Sequence, residues 1–327
     1  MNKHKYPEGD QQEGFCKMEY VKRIEKNVEK VIIGKNSVVK NILKGILAGG
    51  HILIEDIPGI GKTTLVKALA KSLNLSYSRI QFTPDLLPSD ILGVSIYNQK
   101  DMSFEFRKGP VFANIVLADE INRTSPKTQA ALLEVMEEYQ VSEGTQSYKL
   151  KKPFFVMATQ NPIEYEGTFN LPEAQLDRFM MRIKIGYPAF TDEVTILRNF
   201  REDIPLEKIG PVASVEDVLM LQEMTRQVKV SDEIYKYIVD IVKETRESKL
   251  FTLGASPRAS IALMRVSQAT ALIKGRNYVI PEDVKENAGM VLSHRLILSS
   301  YARGQGSNAY EALQIMVSTV EPPRMDR

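Results

Sequence analysis

Short apolar runs that alternate with helical patterns constrain the fold of this chain more than any other feature. Each run is too short for a helix, and several are apolar at nearly every position. Both faces of such strands must be covered, and the intervening stretches Thr63–Ser72 and Pro126–Glu138 have helical patterns that supply the cover. We therefore predict an α/β fold with a mostly parallel, doubly wound sheet and a ligand site beyond the carboxyl ends of its strands. The predicted strands are His51–Glu55, Ser78–Phe82, Asn114–Asp119, Phe154–Thr159 and Met181–Ile185.

Composition excludes several classes of protein. The chain has 327 residues and 43% hydrophobic residues, which is enough for a sizeable core and about two domains. Its formal charge of +2 offers no general attraction to nucleic acid or to anionic lipid. One cysteine and three histidines leave no disulfide framework and no zinc site. Because we find neither a signal-peptide core nor 18 consecutive apolar residues, we expect a cytoplasmic protein without membrane insertion.

The character of the sequence changes twice along the chain. Residues 1–17 are polar and lack periodicity, so we predict a flexible N-terminal tail. Residues 18–188 carry the α/β pattern, with two added hairpins near 94–106 and 140–150. Residues 189–327 have only helical patterns and are predicted to form an all-helical domain. Helix starts in this domain are predicted at Ser231, Ser256 and Pro281.

The strongest candidate site lies where the strand His51–Glu55 runs through a glycine-containing turn into a helix. Backbone N–H groups from Gly59 to Thr63 would point at a phosphate, and the helix N-terminus and Lys62 add positive charge. The Thr63 hydroxyl is placed to ligate magnesium. Asp56 replaces the first glycine of the general phosphate-loop pattern, so a plain loop with a surface lysine remains an alternative, but the flanking strand and helix favour nucleotide binding. The predicted nucleotide-binding residues are Asp56, Ile57, Pro58, Gly59, Ile60, Gly61, Lys62, Thr63 and Thr64.

Two carboxylates end the strand Asn114–Asp119. An aspartate at a strand's carboxyl end beside a phosphate loop can hold magnesium through its water shell, so Asp119 is predicted to hold the metal. The next residue faces the other way, so Glu120 is predicted to polarise an attacking water as the general base. An acidic pair at a solvated turn is the alternative, and the presence of Lys62 favours the site.

Three further polar residues are candidates. Asn161 follows a buried strand and could touch the terminal phosphate, or it could only form a turn before proline. Arg258 lies in the first turn of a helix, against the helix dipole, which suggests an anion; a solvated arginine is the alternative. Arg178 follows Asp177 just before the last strand, and an Asp–Arg surface pair is its alternative interpretation.

Together these residues make the chain resemble the MoxR branch of the AAA+ ATPases. The resemblance covers most of residues 19–300, and the order and spacing of its motifs make it specific. Asn170 departs from it, because proline is expected there, and this affects only the local loop. The matching stretches are Glu55–Thr64, Gly109–Arg123, Thr128–Val141, Ala158–Gly167, Leu171–Phe179 and Gly254–Ala259.

The resemblance implies a five-stranded αβα P-loop core with a helical lid and an active site between subunits of a ring, expected to be a hexamer. It implies ATP and Mg²⁺ bound between core and lid, with the loop lysine and threonine and the acidic pair in the roles above. Asn161 would sense the γ-phosphate, and Arg258 would be the lid's sensor. Arg178 would act in trans as an arginine finger, with Arg123 and Arg182 as rivals.

The resemblance also implies a function. We expect a chaperone-like ATPase that remodels, assembles or matures partner proteins, with von Willebrand factor A domain proteins as possible clients and the hairpins near 94–106 and 140–150 facing the pore or the client. A DNA-remodelling or helicase-like ATPase is an alternative that the charge of +2 does not favour. A third alternative, an ATP-gated scaffold that barely hydrolyses ATP, conflicts with the presence of Glu120 and Arg178.

Overall fold

A computed structural model describes residues 8–57, 59–161, 169–202, 205–306 and 308–324. The helices are α1 Glu8–Glu29, α2 Asn36–Leu47, α3 Lys62–Ser72, α4 Pro88–Leu92, α5 Pro126–Glu138, α6 Glu173–Leu176, α7 Phe190–Glu202, α8 Val215–Gln227, α9 Asp232–Glu247, α10 Pro257–Ile273, α11 Pro281–Leu292, α12 Ser300–Gly304 and α13 Ala309–Thr319. The strands are β1 Ile52–Glu55, β2 Tyr77–Gln81, β3 Gly93–Asn98, β4 Ser103–Lys108, β5 Ile115–Asp119, β6 Gln140–Glu143, β7 Gln146–Lys149, β8 Phe155–Gln160, β9 Met181–Ile183, β10 Phe251–Leu253 and β11 Ile297–Leu298.

The parallel sheet confirms the α/β prediction. Within the described residues, five strands pair in the order β2-β5-β8-β1-β9, all of them parallel. Alternate residues of β1 face opposite sides, so that Ile52 and Ile54 belong to one buried cluster and Leu53 belongs to another. The first cluster also includes apolar residues of α1, α2, α3 and the C-terminal helices, whereas the second lies against α5. Both faces of the sheet are therefore covered, as its continuous apolar strands require.

Both predicted hairpins are present. Strands β3 and β4 pair in antiparallel register, as do β6 and β7. The hairpins contact each other through Phe106 and Tyr148, whose stacked rings have centroids 4.3 Å apart. Met102 and Phe104 of the first hairpin are 79% and 75% exposed, so this hairpin presents apolar side chains to solvent.

The C-terminal region is mainly helical, as predicted, with one addition. Ser231 and Ser256 accept hydrogen bonds from backbone N–H groups in the first turns of α9 and α10, and both therefore cap these helices. Strand β10 pairs with β11, so the region is not all-helical. This pairing joins segments more than 40 residues apart, and local periodicity carries no signal for such a contact.

The predicted flexible tail over residues 1–17 overlaps the first helix. Helix α1 begins at Glu8, and residues 1–7 lie outside the described residues. Buried Val21, Ile24 and Val28 anchor the later turns of this helix. Once a helix is nucleated, adding residues such as Gln and Glu costs little, so the helix extends into a polar segment that has no apolar periodicity.

Among the described residues, no helix combines the length and apolarity needed to cross a bilayer.

His51 connects the amino ends of the strands to the end of α5. The backbone N–H of Val156 donates to His51 Nδ1 at 3.0 Å, so the ring is neutral and its Nε2 donates to the carbonyl oxygen of Met136 at 3.0 Å. Burial lowers the pKa of His51 to about 4. The C-terminal end of α5 therefore lies at the amino edge of the sheet.

The buried neutral imidazole predicts a loss of stability in acid. Because the pKa of His51 is lower in the folded chain than the ordinary value of 6.5, the unfolded chain binds the proton more readily. Stability from this group is complete above about pH 6.5 and declines as the pH falls towards 4, by about 2 kcal/mol between pH 7.5 and 5. Urea unfolding at both pH values should show that His51→Gln loses about 2 kcal/mol less than the wild type over this interval. Equal losses in the two proteins would contradict this assignment.

Candidate active site

The phosphate loop joins β1 to α3 through backbone that favours glycine. Gly59 and Gly61 both have φ of 84°, in the left-handed region, and a Cβ atom at either position would meet no atom within 4 Å. Backbone conformation, rather than crowding, therefore explains both glycines. Gly61 is the N-cap of α3, and Lys62 and Thr63 begin the helix. Pro58, a predicted nucleotide-binding residue, lies outside the described residues.

Asp56 has a role that the sequence did not reveal. Its Oδ2 accepts hydrogen bonds from the backbone N–H groups of Ile185 (2.6 Å) and Gly186 (2.5 Å), in the segment that follows β9. Its Oδ1 accepts a third bond from Ile57 N–H at 2.9 Å. Asp56 is also one of the predicted nucleotide-binding residues, and its carboxylate ties the start of the phosphate loop to the chain leaving the sheet. This explains why a carboxylate can stand where the general pattern has glycine.

Lys62 lies among acidic groups at the carboxyl edge of the sheet. Its Nζ donates to the carbonyl oxygen of Asp56 at 2.5 Å. Burial lowers the pKa of the Lys62 ammonium, and the negative charges of Asp56, Asp119 and Glu120 oppose that shift. The structure thus brings the predicted phosphate-binding lysine and the predicted acidic pair together, as strand order requires: β8 alone separates β1 from β5.

Asp119 ends β5 and is held by groups on both neighbouring strands. Thr159 of β8 donates to Asp119 Oδ1 at 2.6 Å. Arg79 of β2 donates to Asp119 Oδ2 from Nε at 3.0 Å and from Nη2 at 2.7 Å. The carboxylate of Asp119 and the hydroxyl of Thr63 are hard oxygen donors of the kind that Mg²⁺ prefers, so these two residues fit the predicted metal ligands.

Glu120 turns away from the strand direction because its backbone is left-handed, with φ of 58°. Its N–H donates to Thr159 Oγ1 at 2.8 Å. Its Oε2 accepts hydrogen bonds from Arg123 at 2.9 Å and from Gln81 at 3.0 Å. Asp119 and Glu120 therefore present their carboxylates to different partners.

The sequence pattern did not single out Arg79, Gln81 and Thr159. Arg79 and Gln81 lie two residues apart and so share one face of β2, where Gln81 aligns with Asp119. Polar residues alternating along a short strand were a signal, but only the pairing of β2 with β5 shows which carboxylates they contact. Asn161 lies one residue beyond β8, where Asn122 Nδ2 donates to its carbonyl oxygen at 3.4 Å. It therefore lies at the same edge of the sheet as the phosphate loop.

Arg178 and Arg258 lie at the opposite edge of the sheet. Both bind Glu137, Arg178 at 3.1 Å and Arg258 at 2.6 Å. Glu137 follows Met136, whose carbonyl oxygen binds His51 at the amino end of β1. The phosphate loop begins at the other end of β1, and five residues of strand span roughly 16 Å.

Arg258, which the resemblance implies to be the lid's sensor, thus lies away from the phosphate loop of its own chain. The N-terminal end of α10 lies near the amino ends of the strands, where Ser256 donates to Asp177, and Arg258 therefore joins Arg178 at Glu137. The rival arginines pair elsewhere: Arg123 binds Glu120, and Arg182 binds Glu55 at 3.1 Å.

Comparison with known proteins agrees with the fold. A model of the ATPase family associated with various cellular activities (AAA) matches residues 51–181, and a model of the AAA lid domain matches residues 243–315. The chain is 39% identical to Chaperone MoxR1 of Mycobacterium tuberculosis over 99% of this chain and 88% of that protein. It is 51% identical to the uncharacterized protein YeaC of Bacillus subtilis over 91% of this chain and 93% of that protein.

A solved structure agrees as well. The crystal structure of a Cytophaga hutchinsonii protein described as a candidate ATPase superimposes with a TM-score of 0.89. The two sequences are 41% identical, and the match covers 97% of this chain and 98% of that one.

The contacts of Asp56 predict that the general phosphate-loop residue is harmful here. Asp56→Gly removes three hydrogen bonds to a carboxylate and should lower the free energy of unfolding by about 3 kcal/mol. It should also weaken nucleotide binding, because the start of the loop loses its tie to residues 185 and 186. Asp56→Asn, which keeps the shape, is the matched control and should fall between Asp56→Gly and the wild type. Urea unfolding and titration with a fluorescent ATP analogue measure both effects; unchanged stability with tighter binding in Asp56→Gly would contradict the prediction.

Proposed function

Because this chain belongs to the MoxR family of AAA+ ATPases, we propose that it hydrolyses magnesium-bound ATP at sites shared between neighbouring subunits of a ring. One observation carries this proposal. The phosphate loop and the acidic pair lie at the carboxyl edge of the sheet, whereas Arg178 and Arg258 lie at its amino edge. These groups cannot meet within one chain, but they can meet across an interface in which the amino edge of one subunit faces the phosphate loop of the next.

The loop binds the triphosphate. Its N–H groups and the N-terminus of α3 attract the β- and γ-phosphates, and Lys62 supplies a full charge there. Magnesium, held by Thr63 and Asp119, would neutralise charge on the phosphate oxygens. Asp56 keeps the entrance of the loop fixed to the segment after β9.

Glu120 and Asn161 act on the water and on the terminal phosphate. Glu120 accepts a proton from the attacking water and orients it in line with the bond that breaks. Its present partners, Gln81 and Arg123, hold the carboxylate at the rim of the site. Asn161 lies at the same edge and contacts the γ-phosphate through its side-chain amide.

Arg178 and Arg258 stabilise the charge that develops on the phosphoryl group of the neighbouring subunit's ATP. An arginine finger increases the rate by roughly 10³ to 10⁵. An isolated subunit should therefore hydrolyse ATP slowly, and ring assembly should activate it. A hexamer is the ring that we propose.

We further propose that hydrolysis drives a chaperone-like action on partner proteins, with von Willebrand factor A domain proteins as clients to be tested first. The name Chaperone MoxR1 for a relative supports this role. The hairpin β3–β4 supports it as well, because exposed Met102 and Phe104 offer apolar contact surface. The near-balanced charge gives no support to the DNA-remodelling alternative.

Binding and hydrolysis should separate by mutation. Lys62→Ala removes a charge from the phosphate site and should weaken ATP binding at least about tenfold. Glu120→Gln keeps the shape of the site, so it should bind ATP like the wild type and lose hydrolysis by about 10² to 10⁴. Nucleotide titration and phosphate release measure these effects. Equal loss of binding in both variants would contradict the assigned roles.

The shared site predicts rescue in mixed rings. Arg178→Ala should bind ATP normally but lose hydrolysis by about 10³ or more. Mixed with Lys62→Ala, it should recover part of the activity, because an intact finger then faces an intact phosphate loop at some interfaces. Arg226→Ala, at an exposed arginine that pairs with Glu223, is the matched control and should remain active. Absence of rescue in rings shown by mass spectrometry to be mixed would reject the shared site.

A further inference from the structure

The turn Ser293–Arg295 follows α11 and binds the segment that carries Arg178. Arg295 is 4% exposed and makes five hydrogen bonds, one for each N–H of its guanidinium. Its Nε donates to Asp177 Oδ1 at 2.6 Å, and its Nη2 donates to the carbonyl oxygens of Asp177 (3.2 Å) and Phe179 (2.7 Å). Its Nη1 donates to the carbonyl oxygens of Met180, at 3.2 Å, and of Val291.

His294 strengthens the same contact. Its Nε2 lies 3.0 Å from the carbonyl oxygen of Phe179, which also accepts from Arg295. The bound segment joins the four-residue helix α6 to β9, and its N–H groups from Asp177 to Met180 donate to backbone carbonyl oxygens. Its carbonyl oxygens at Asp177, Phe179 and Met180 accept from Arg295, so the C-terminal domain supplies the donors on the carbonyl side of the backbone around Arg178.

Asp177 links this turn to the helix that carries Arg258. While its Oδ1 binds Arg295, its Oδ2 accepts a hydrogen bond from Ser256 Oγ at 3.0 Å. Ser256 is the N-cap of α10, and Arg258 lies in the first turn of this helix. One carboxylate is thus adjacent in sequence to Arg178 and hydrogen-bonded to the cap of the helix that bears Arg258.

The two arginines converge because of this frame. Both reach the carboxylate of Glu137, Arg178 at 3.1 Å and Arg258 at 2.6 Å, and both remain partly exposed, with 29% and 49% of their side chains accessible. In contrast, Arg295 is enclosed and cannot touch a neighbouring subunit's nucleotide. It can act only through the residues that it holds.

We propose that Arg295 is a positioning residue for the shared active site. It holds Asp177 and thereby fixes the positions of Arg178 and Arg258 relative to each other. This inference rests on the function proposed above. The planar guanidinium is required because one side chain must bind a carboxylate and several carbonyl oxygens at fixed angles, which an ammonium cannot do. Loss of Arg295 should therefore impair a subunit as donor of arginines to its neighbour and spare its own phosphate loop at the opposite edge.

The test uses Arg295→Lys, which keeps the charge and removes the fork. We expect its KM for ATP to stay within about twofold of the wild type and its kcat to fall at least about tenfold, because a misplaced finger loses part of a 10³ to 10⁵ effect. Mixed with Lys62→Ala, which supplies intact arginines, it should recover activity. Mixed with Arg178→Ala, it should recover none, because both subunits then lack a working finger.

Two further variants separate positioning from stability. Arg276→Lys changes another partly buried arginine, which binds the fully buried Asp283 at 2.6 Å in the same C-terminal region, and should show no such pattern of rescue. Asp177→Asn breaks the frame from the other side and should reproduce the rescue pattern of Arg295→Lys, which keeps the test decisive if Arg295→Lys does not fold.

The outcomes are distinct. Wild-type kcat in Arg295→Lys, or in Asp177→Asn when Arg295→Lys does not fold, would overturn the inference. Equal recovery with both partners, or no recovery with Lys62→Ala while Arg178→Ala recovers with it, would also overturn it. If Arg178→Ala and Lys62→Ala do not rescue each other, the proposed shared site itself fails, and the positioning role fails with it.

Discussion

The common direction of the strands in the parallel sheet determines where the functional groups of this molecule lie. In such a sheet all carboxyl ends meet at one edge and all amino ends at the other, so loops that follow strands and loops that precede them are kept apart. Lys62, Glu120 and Asn161 follow strands and Asp119 ends one, whereas Arg178 precedes β9 and Arg258 lies beside Arg178 at Glu137. The groups that bind phosphate and the groups that would stabilise its transfer are therefore divided between two edges. A second copy of the same sheet is the simplest structure that can bring them together.

Positive and negative groups of the chain itself balance each other at the carboxyl edge of the sheet. The N-terminus of α3 and Lys62 form the positive side, and Asp56, Asp119 and Glu120 form the negative side. Arg79 adds a guanidinium to Asp119, on the strand next to it. Because the positive groups lie around the loop and the carboxylates lie at strand ends, a magnesium-bound triphosphate would meet opposite charge at both its phosphates and its metal.

The C-terminal domain covers one face of the sheet and also forms hydrogen bonds to the residues next to it. Its turn Ser293–Arg295 supplies donors to the carbonyl oxygens of Asp177 and Phe179, just before β9, and its helix α10 begins with Ser256 bound to Asp177. Movement of this domain would therefore displace residues at the amino edge, where Arg178 lies. At the carboxyl edge, Asp56 contacts residues 185 and 186, just before the same domain begins. The two halves of the proposed site are the phosphate loop and the arginines. Both are thus connected to the C-terminal domain, the loop through residues just before it and the arginines through its turn and helix α10.

Local sequence determined much of this protein: the apolar runs predicted all five strands of the sheet, Pro126–Glu138 matched helix α5, both hairpins were found, and the phosphate loop and acidic pair were identified as neighbours. These features depend on residues close together in the chain, whose periodicity and turn chemistry are legible one segment at a time. Tertiary structure alone decided the strand order that places Arg79 and Gln81 beside the carboxylates and the pairing of β10 with β11. It also decided that Arg258 lies at the amino edge and that Arg295 holds Asp177, because such contacts join segments as much as 121 residues apart and depend on how whole elements pack.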